Sequence, residues 1–272
     1  MPNILANGIR IFYQEWGGGP FIVWHHGLFG TSDQWREVAD HLQGRYRSVA
    51  YDARAHGRSE VPSRPEDYAQ DLLVEDVRGV LDALGVPQAV VGGHSMGSNV
   101  ALHFAFRYPT RCRALVLVGI GSGSTDTEGW RARMGLLADL AEKEGMERVL
   151  REIQTLPAWK PAFSHPQLGP RLAREVLACS PQGIARTIRG VQMRRPTIFQ
   201  LEPFLVRLTV PTLVVYGELD EPVVEASRFI GQKVPKAQVV AVPGVGHWTH
   251  LEALPTFLHT LDAFLERVER GQ

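Results

Sequence analysis

Residues 93–97 read Gly93-His94-Ser95-Met96-Gly97, after the apolar run 89–92 and before a helix-patterned stretch, 99–107. A strand that reverses into a helix within so few residues forces strained dihedrals on the residue at the apex. Glycines on both sides remove the side chains that would collide there. The Ser95 hydroxyl then projects off the end of a sheet, beside the positive end of the helix behind it. A serine hydroxyl is a weak nucleophile at neutral pH, so this turn has chemical meaning only if a base can take its proton.

His247, in Val242-Pro243-Gly244-Val245-Gly246-His247, sits in a flexible loop straight after a strand pattern, on the sheet edge that carries the elbow. An imidazole titrates near neutrality and is the usual base for such a step. A carboxylate must fix its tautomer and stabilise its cation. Asp220 ends Tyr216-Gly217-Glu218-Leu219-Asp220, also just past a strand, and the order Ser95, Asp220, His247 fits a serine nucleophile on this kind of turn. Asp52, Asp126, Glu218 and Glu221 are rival acids. For the oxyanion, the amides of Met96 and of Leu28, in His26-Gly27-Leu28, are the expected donors, which makes Gly27 a functional glycine. His26, His56, His94 and His250 read as structural.

Working outward, residues 9–16 alternate apolar and polar, and Gly17-Gly18-Gly19-Pro20 leads into a strand at 21–25, which reads as a hairpin. A helix over 33–42 with Ser32 or Asp33 as its cap, a strand at 47–51, a helix over 68–84, the elbow strand and helix, and a strand at 114–118 follow. Such alternation predicts a mostly parallel sheet with helices on both faces. From 121 to 201 only helical patterns occur, separated by Gly and Pro. The sheet resumes at 212–217, with a helix over 225–234, a strand at 238–242 and a last helix over 255–268. The expected organisation is a core of residues 1–120 and 202–272 with a helical lid, 121–201, inserted. Trp130, Met134, Trp159, Phe163, Met193, Phe199, Phe204 and Trp248 are candidates to line an acyl pocket, although plain packing explains the lid residues as well.

The chain has 272 residues, 44% hydrophobic and 21% charged, with 29 basic against 29 acidic side chains, so nothing in its balance draws it to nucleic acid or an anionic membrane. Its most apolar stretch, 114–120, is far short of the ~20 residues that span a bilayer. No signal-like segment opens the chain, and Cys112 and Cys179 have no metal or disulfide spacing, so a cytoplasmic protein with two buried free thiols is expected.

Strand before, helix after, His-Gly upstream, and acid and base on matching strand ends together resemble the α/β-hydrolase family over nearly the whole chain. Further support comes from Asp52-Ala53-Arg54-Ala55-His56-Gly57-Arg58-Ser59, from Val210-Pro211-Thr212 leading into Gly217-Glu218-Leu219-Asp220, and from Gly246-His247-Trp248. The resemblance implies an eight-stranded, mostly parallel sheet, a helical lid after the sixth strand, and a serine mechanism with no cofactor and no metal. The serine at position 95 speaks against the dehalogenases and epoxide hydrolases of the family, whose nucleophile is an aspartate. The epoxide hydrolases also use lid tyrosines, and all 6 tyrosines here lie outside 121–201. Gly-His-Ser-Met-Gly is similar to carboxylesterases. Gly246-His247-Trp248 and Arg186, Arg189, Arg194 and Arg195 are similar to features of the carbon–carbon bond hydrolases, which usually carry asparagine where His94 stands. The expected function is hydrolysis of small or medium carboxylic esters through an acyl-enzyme. Lactonase and carbon–carbon hydrolase are alternatives on the same residues, and a non-catalytic small-ligand receptor is an alternative of another class.

Overall fold

A computed structural model describes residues 2–271. Eight strands form one sheet in the order β1-β2-β4-β3-β5-β6-β7-β8. They are β1 Asn3–Ala6, β2 Ile9–Trp16, β3 Phe21–His25, β4 Arg47–Tyr51, β5 Ala89–His94, β6 Cys112–Val118, β7 Thr212–Gly217 and β8 Ala237–Val242. Pairing is antiparallel for β1 with β2 and β2 with β4, and parallel elsewhere. The hairpin expected at Gly17–Pro20 is not formed: β2 pairs with β4, so that turn crosses over a strand, and the hairpin lies at Asn7-Gly8, between β1 and β2.

Alternation along the central strands sends side chains to two separate cores. Val23, Val91, Leu115, Leu117 and Val214 face helices α2 (Gln70–Ala83) and α3 (Met96–Arg107). Ile22, Trp24, Val90, Val116 and Val215 face α1 (Arg36–Leu42) and the last helix, α12 (Leu254–Glu269). The cap of the first helical turn is Thr31, whose hydroxyl accepts the Asp33 amide at 3.3 Å, rather than Ser32 or Asp33. Ser32 is unable to serve because its amide and hydroxyl are both bound to Asp52.

Between β6 and β7 lie only helices: α4 Thr127–Glu144, α5 Met146–Ile153, α6 Lys160–Ser164, α7 Leu168–Leu177, α8 Pro181–Thr187 with a π-turn Ile188–Gln192 after it, and α9 Glu202–Leu205. Met134, Leu137, Val149, Leu172 and Ile184 join the same continuous apolar cluster as Val91 and Leu115, so the helical segment and the sheet share one core. After β7 come α10 Glu221–Lys233, β8, the single turn α11 Thr249–Glu252, and α12. Cys112 and Cys179 are buried free thiols, and burial pushes that of Cys179 up to about 12. Among the described residues no helix is long and apolar enough to cross a membrane.

The strand order positions the site. β3 has β4 on one side and β5 on the other, which makes the β3/β5 boundary a switch point where successive connections leave in opposite directions. His25 pairs with Gly93 across it. The loop after β3 and the elbow after β5 therefore leave the same edge side by side.

Candidate active site

Ser95 sits at the junction of β5 and α3 with φ 53° and ψ −109°, a conformation that costs a non-glycine residue about 1–3 kcal/mol. Hydrogen bonds hold it there: its amide donates to Val118 O at 2.8 Å, and Asn99 Nδ2 donates to its carbonyl at 3.1 Å. The flanking glycines answer to close approach. A Cβ on Gly93 would lie 2.3 Å from the Gly97 carbonyl, and one on Gly97 2.2 Å from His25 O. Ser98 fastens the turn from behind, donating to Gly93 O at 2.6 Å while accepting the Val118 amide at 2.9 Å.

The loop after β3 lies directly against this turn. A Cβ on Gly27 would fall 3.3 Å from Ser95 Cβ and 2.8 Å from His94 Nδ1, which brings the segment bearing Leu28 beside the start of α3, where Met96 follows the serine. His26 braces it, its Nδ1 lying 2.7 Å from Gly27 O and its Nε2 accepting the Ala53 amide at 2.9 Å.

His247 and Asp220 meet across the ends of β8 and β7. The Nδ1 of His247 lies 2.5 Å from Asp220 Oδ2, with the two side chains 2% and 1% exposed. With Nδ1–H donated to a carboxylate, the neutral ring keeps its lone pair on Nε2, the tautomer a general base requires. The rival acids stand elsewhere. Asp52 is enclosed by Ser32 and Arg58, Asp126 caps α4 by accepting the Gly129 amide at 2.9 Å, and Glu218 and Glu221 are exposed.

His94, next to the serine, reaches the backbone of His247: its Nε2 lies 3.0 Å from the His247 carbonyl and must therefore carry the proton. Burial, reinforced by His250 and His247, pushes His94 well below the usual imidazole range. Burial likewise takes His250 down to about 3 and His25 to about 4. Burial thus favours the neutral form of the histidines around His247.

A cavity of about 270 Å³ opens beside Asp220, lined in part by Trp130, Met134, Leu156, Trp159, Leu219 and Pro222. Trp159 is stacked on His247, with centroids 5.5 Å apart and planes at 12°. Trp248 packs edge-on against Trp159 and Phe163. Phe199 is turned instead to Phe229 on α10, Phe204 packs on Phe106 of α3, and Met193 lies against Gly135 of α4. The structure thus brings Trp130, Met134 and Trp159 to the cavity, seats Phe163 and Trp248 behind it, and leaves Met193, Phe199 and Phe204 in helix packing. Three of the four arginines singled out in the sequence have protein partners: Arg186 donates to Pro62 O, Arg189 pairs with Asp139 and Glu142, and Arg195 donates to Ser122 O while lying over the Trp130 ring.

A sequence model described as the alpha/beta hydrolase fold matches residues 20–254. The chain belongs to the α/β-hydrolase family. Within that family it is 29% identical to a 2-hydroxymuconate semialdehyde hydrolase of Pseudomonas sp. (strain CF600), over 98% of this chain and 94% of the relative. It is 24% identical to 3-oxoadipate enol-lactonase 2 of Acinetobacter baylyi, over 97% of this chain and 96% of the relative. Among solved structures, the enol-lactonase from Burkholderia xenovorans LB400 superposes with a TM-score of 0.85 at 25% identity, covering 97% of this chain and all 100% of that one. The eight-stranded, mostly parallel sheet expected from the sequence is the α/β-hydrolase sheet.

Proposed function

We propose that this α/β-hydrolase is a serine hydrolase acting on carboxylic esters of small or medium acyl groups. The observation that carries the reading is the buried 2.5 Å contact of His247 Nδ1 with Asp220 Oδ2 at the sheet edge where Ser95 stands on its strained turn. In this reading His247 Nε2 takes the Ser95 proton as Oγ attacks the acyl carbonyl, and the amides of Leu28 and Met96 receive the oxyanion. The base then gives its proton to the departing alcohol, leaving an acyl-Ser95 ester. Water deprotonated by His247 attacks that ester and releases the acid and the free serine. No cofactor takes part in these steps. Residues 121–201, which carry helices α4 to α8, act as a lid over the site, with Trp130, Met134 and Trp159 bounding the acyl group.

Lactones are cyclic esters and need no change of machinery. The full-length likeness to two enol-lactonases supports including them among the substrates. Likeness to the 2-hydroxymuconate semialdehyde hydrolase keeps carbon–carbon cleavage as an alternative on the same residues.

Ser95→Ala is expected to abolish both the burst and the steady-state release of p-nitrophenol from a short p-nitrophenyl ester. Turnover at the parent rate would sink the assignment. A parent protein that stalls after about one event per molecule would instead favour a ligand receptor on the same fold.

A further inference from the structure

The ring of His247 has a partner in Asp220, but its backbone is held as well. Its amide donates to Ala158 O at 3.0 Å, from the stretch between α5 and α6, and its carbonyl accepts from His94 Nε2 at 3.0 Å. The peptide groups to either side belong to one side chain. Glu252, at the end of α11, accepts the Gly246 amide through Oε2 at 3.0 Å and the Trp248 amide through Oε1 at 2.8 Å. Both oxygens accept from N–H donors, an arrangement that favours the carboxylate form. Burial raises its carboxyl above the usual range, while the two amides and the nearby His247 work against that rise.

We infer that Glu252 is a positioning residue for the base: it grips the chain on both sides of His247 and sets a second negative charge beside the ring that becomes cationic in the transition state. The inference rests on His247 being the base of a serine hydrolase. A loop carrying Gly244 and Gly246 has little stiffness of its own, and misplacing a catalytic group by an ångström costs on the order of 100-fold in rate. The charged or titratable groups that face His247 are Asp220 from the loop after β7, His94 from β5, and His250 and Glu252 from α11. Trp159 and the Ala158 carbonyl, from the helical segment, are uncharged. With His94 and His250 neutral, Asp220 and Glu252 are the two carboxylates that favour the imidazolium.

The test is Glu252→Gln, which preserves shape and one acceptor, removes the charge, and turns an NH₂ toward the second amide. Rates on a p-nitrophenyl ester are taken per active serine, titrated with a fluorophosphonate, so that unfolded protein drops out. The expected result is a fall in kcat of about 10- to 100-fold with KM within about twofold. The acidic limb of kcat/KM moves to lower pH by roughly 0.5 to 1 unit, because the imidazolium has lost one of its two carboxylates. A limb that does not move, or a rate per active serine equal to the parent's, overturns the inference. Ser95→Ala in the same assay separates the two readings. Activity surviving there removes the serine mechanism and this inference with it, whereas an inactive Ser95→Ala beside an unaltered Glu252→Gln removes the inference alone.

Discussion

Asp52 and Asp220 invite comparison, because each follows a strand of the sheet, β4 or β7, and each is sealed from solvent at 0% and 1% exposure. Their surroundings differ in kind. Asp52 accepts the Ser32 amide and hydroxyl at 2.7 and 2.6 Å on one oxygen, and the Arg58 amide and Nε at 2.8 and 3.0 Å on the other. Asp220 turns Oδ2 to one imidazole nitrogen. A carboxylate saturated by fixed donors is an anchor for the loops after β3 and β4, with no capacity left to answer a change of charge elsewhere. One that faces a titratable ring can stabilise a proton arriving there. Being an acid at a strand end does not tell these cases apart; the donors around it do.

Neutralising the two acids in turn should give opposite phenotypes. Asp220→Asn should lower kcat on an ester by about 10⁴-fold, because a carboxamide presents an N–H or a weaker acceptor to Nδ1 and releases the tautomer. A loss under tenfold would return the role to another acid. Asp52→Asn should leave kcat within tenfold and instead cost about 3 kcal/mol of stability in denaturant unfolding, since at least one buried donor loses its acceptor. The reverse pattern, with activity lost and stability kept, would exchange the two assignments.

Acid sharpens the same contrast on both sides. His25, His26 and His56 lie around the Asp52 loop and His94 and His250 around the base, and burial lowers all five. Below about pH 6.5 the unfolded chain binds protons that these folded rings refuse, so stability is full above that value and falls as the pH drops toward 4, by up to about 1.4 kcal/mol per pH unit for each ring. Urea midpoints at pH 7.5, 6 and 5 check this. Midpoints that rise on acidification would mean that the rings are charged in the folded protein.

How far the sequence reached depended on whether an element is decided locally. β2, β3 and β7 lie where residues 9–16, 21–25 and 212–217 place them, since each is a run of strand-forming residues between turn residues. β1 went unread because four residues on a half-exposed edge carry little pattern. The hairpin at Gly17–Pro20 failed because pairing is a tertiary choice: β4 takes the place beside β2 that the next strand in sequence would have taken. Two helices start earlier than their sequence pattern indicates, at Met96 and Glu221 against 99 and 225. α3 begins at Met96 despite Gly97, because that glycine is demanded by the approach of His25, and α10 begins at Glu221 because Pro222 sits harmlessly in a first turn. Within the site, the pairing of Asp220 with His247 was legible because both end strands on one edge. Glu252 was not, because a glutamate near a helix start reads as surface, and only the folded loop brings two amides to it. His94 gave only half its signal, as a structural histidine whose hold on the His247 carbonyl spans 153 residues of chain.

The bond from the His247 amide to Ala158 O bears on engineering. A stretch between α5 and α6 supplies the acceptor for the backbone of His247, and the next residue stacks on its ring. In the proposed reading, substrate range and proton handling are therefore not separable modules. Grafting the helical segment of a relative in place of residues 121–201 would also exchange part of the mounting of His247. A chimera of that kind needs a carbonyl and a flat side chain returned to positions 158 and 159 before its substrate range can be compared with the parent's.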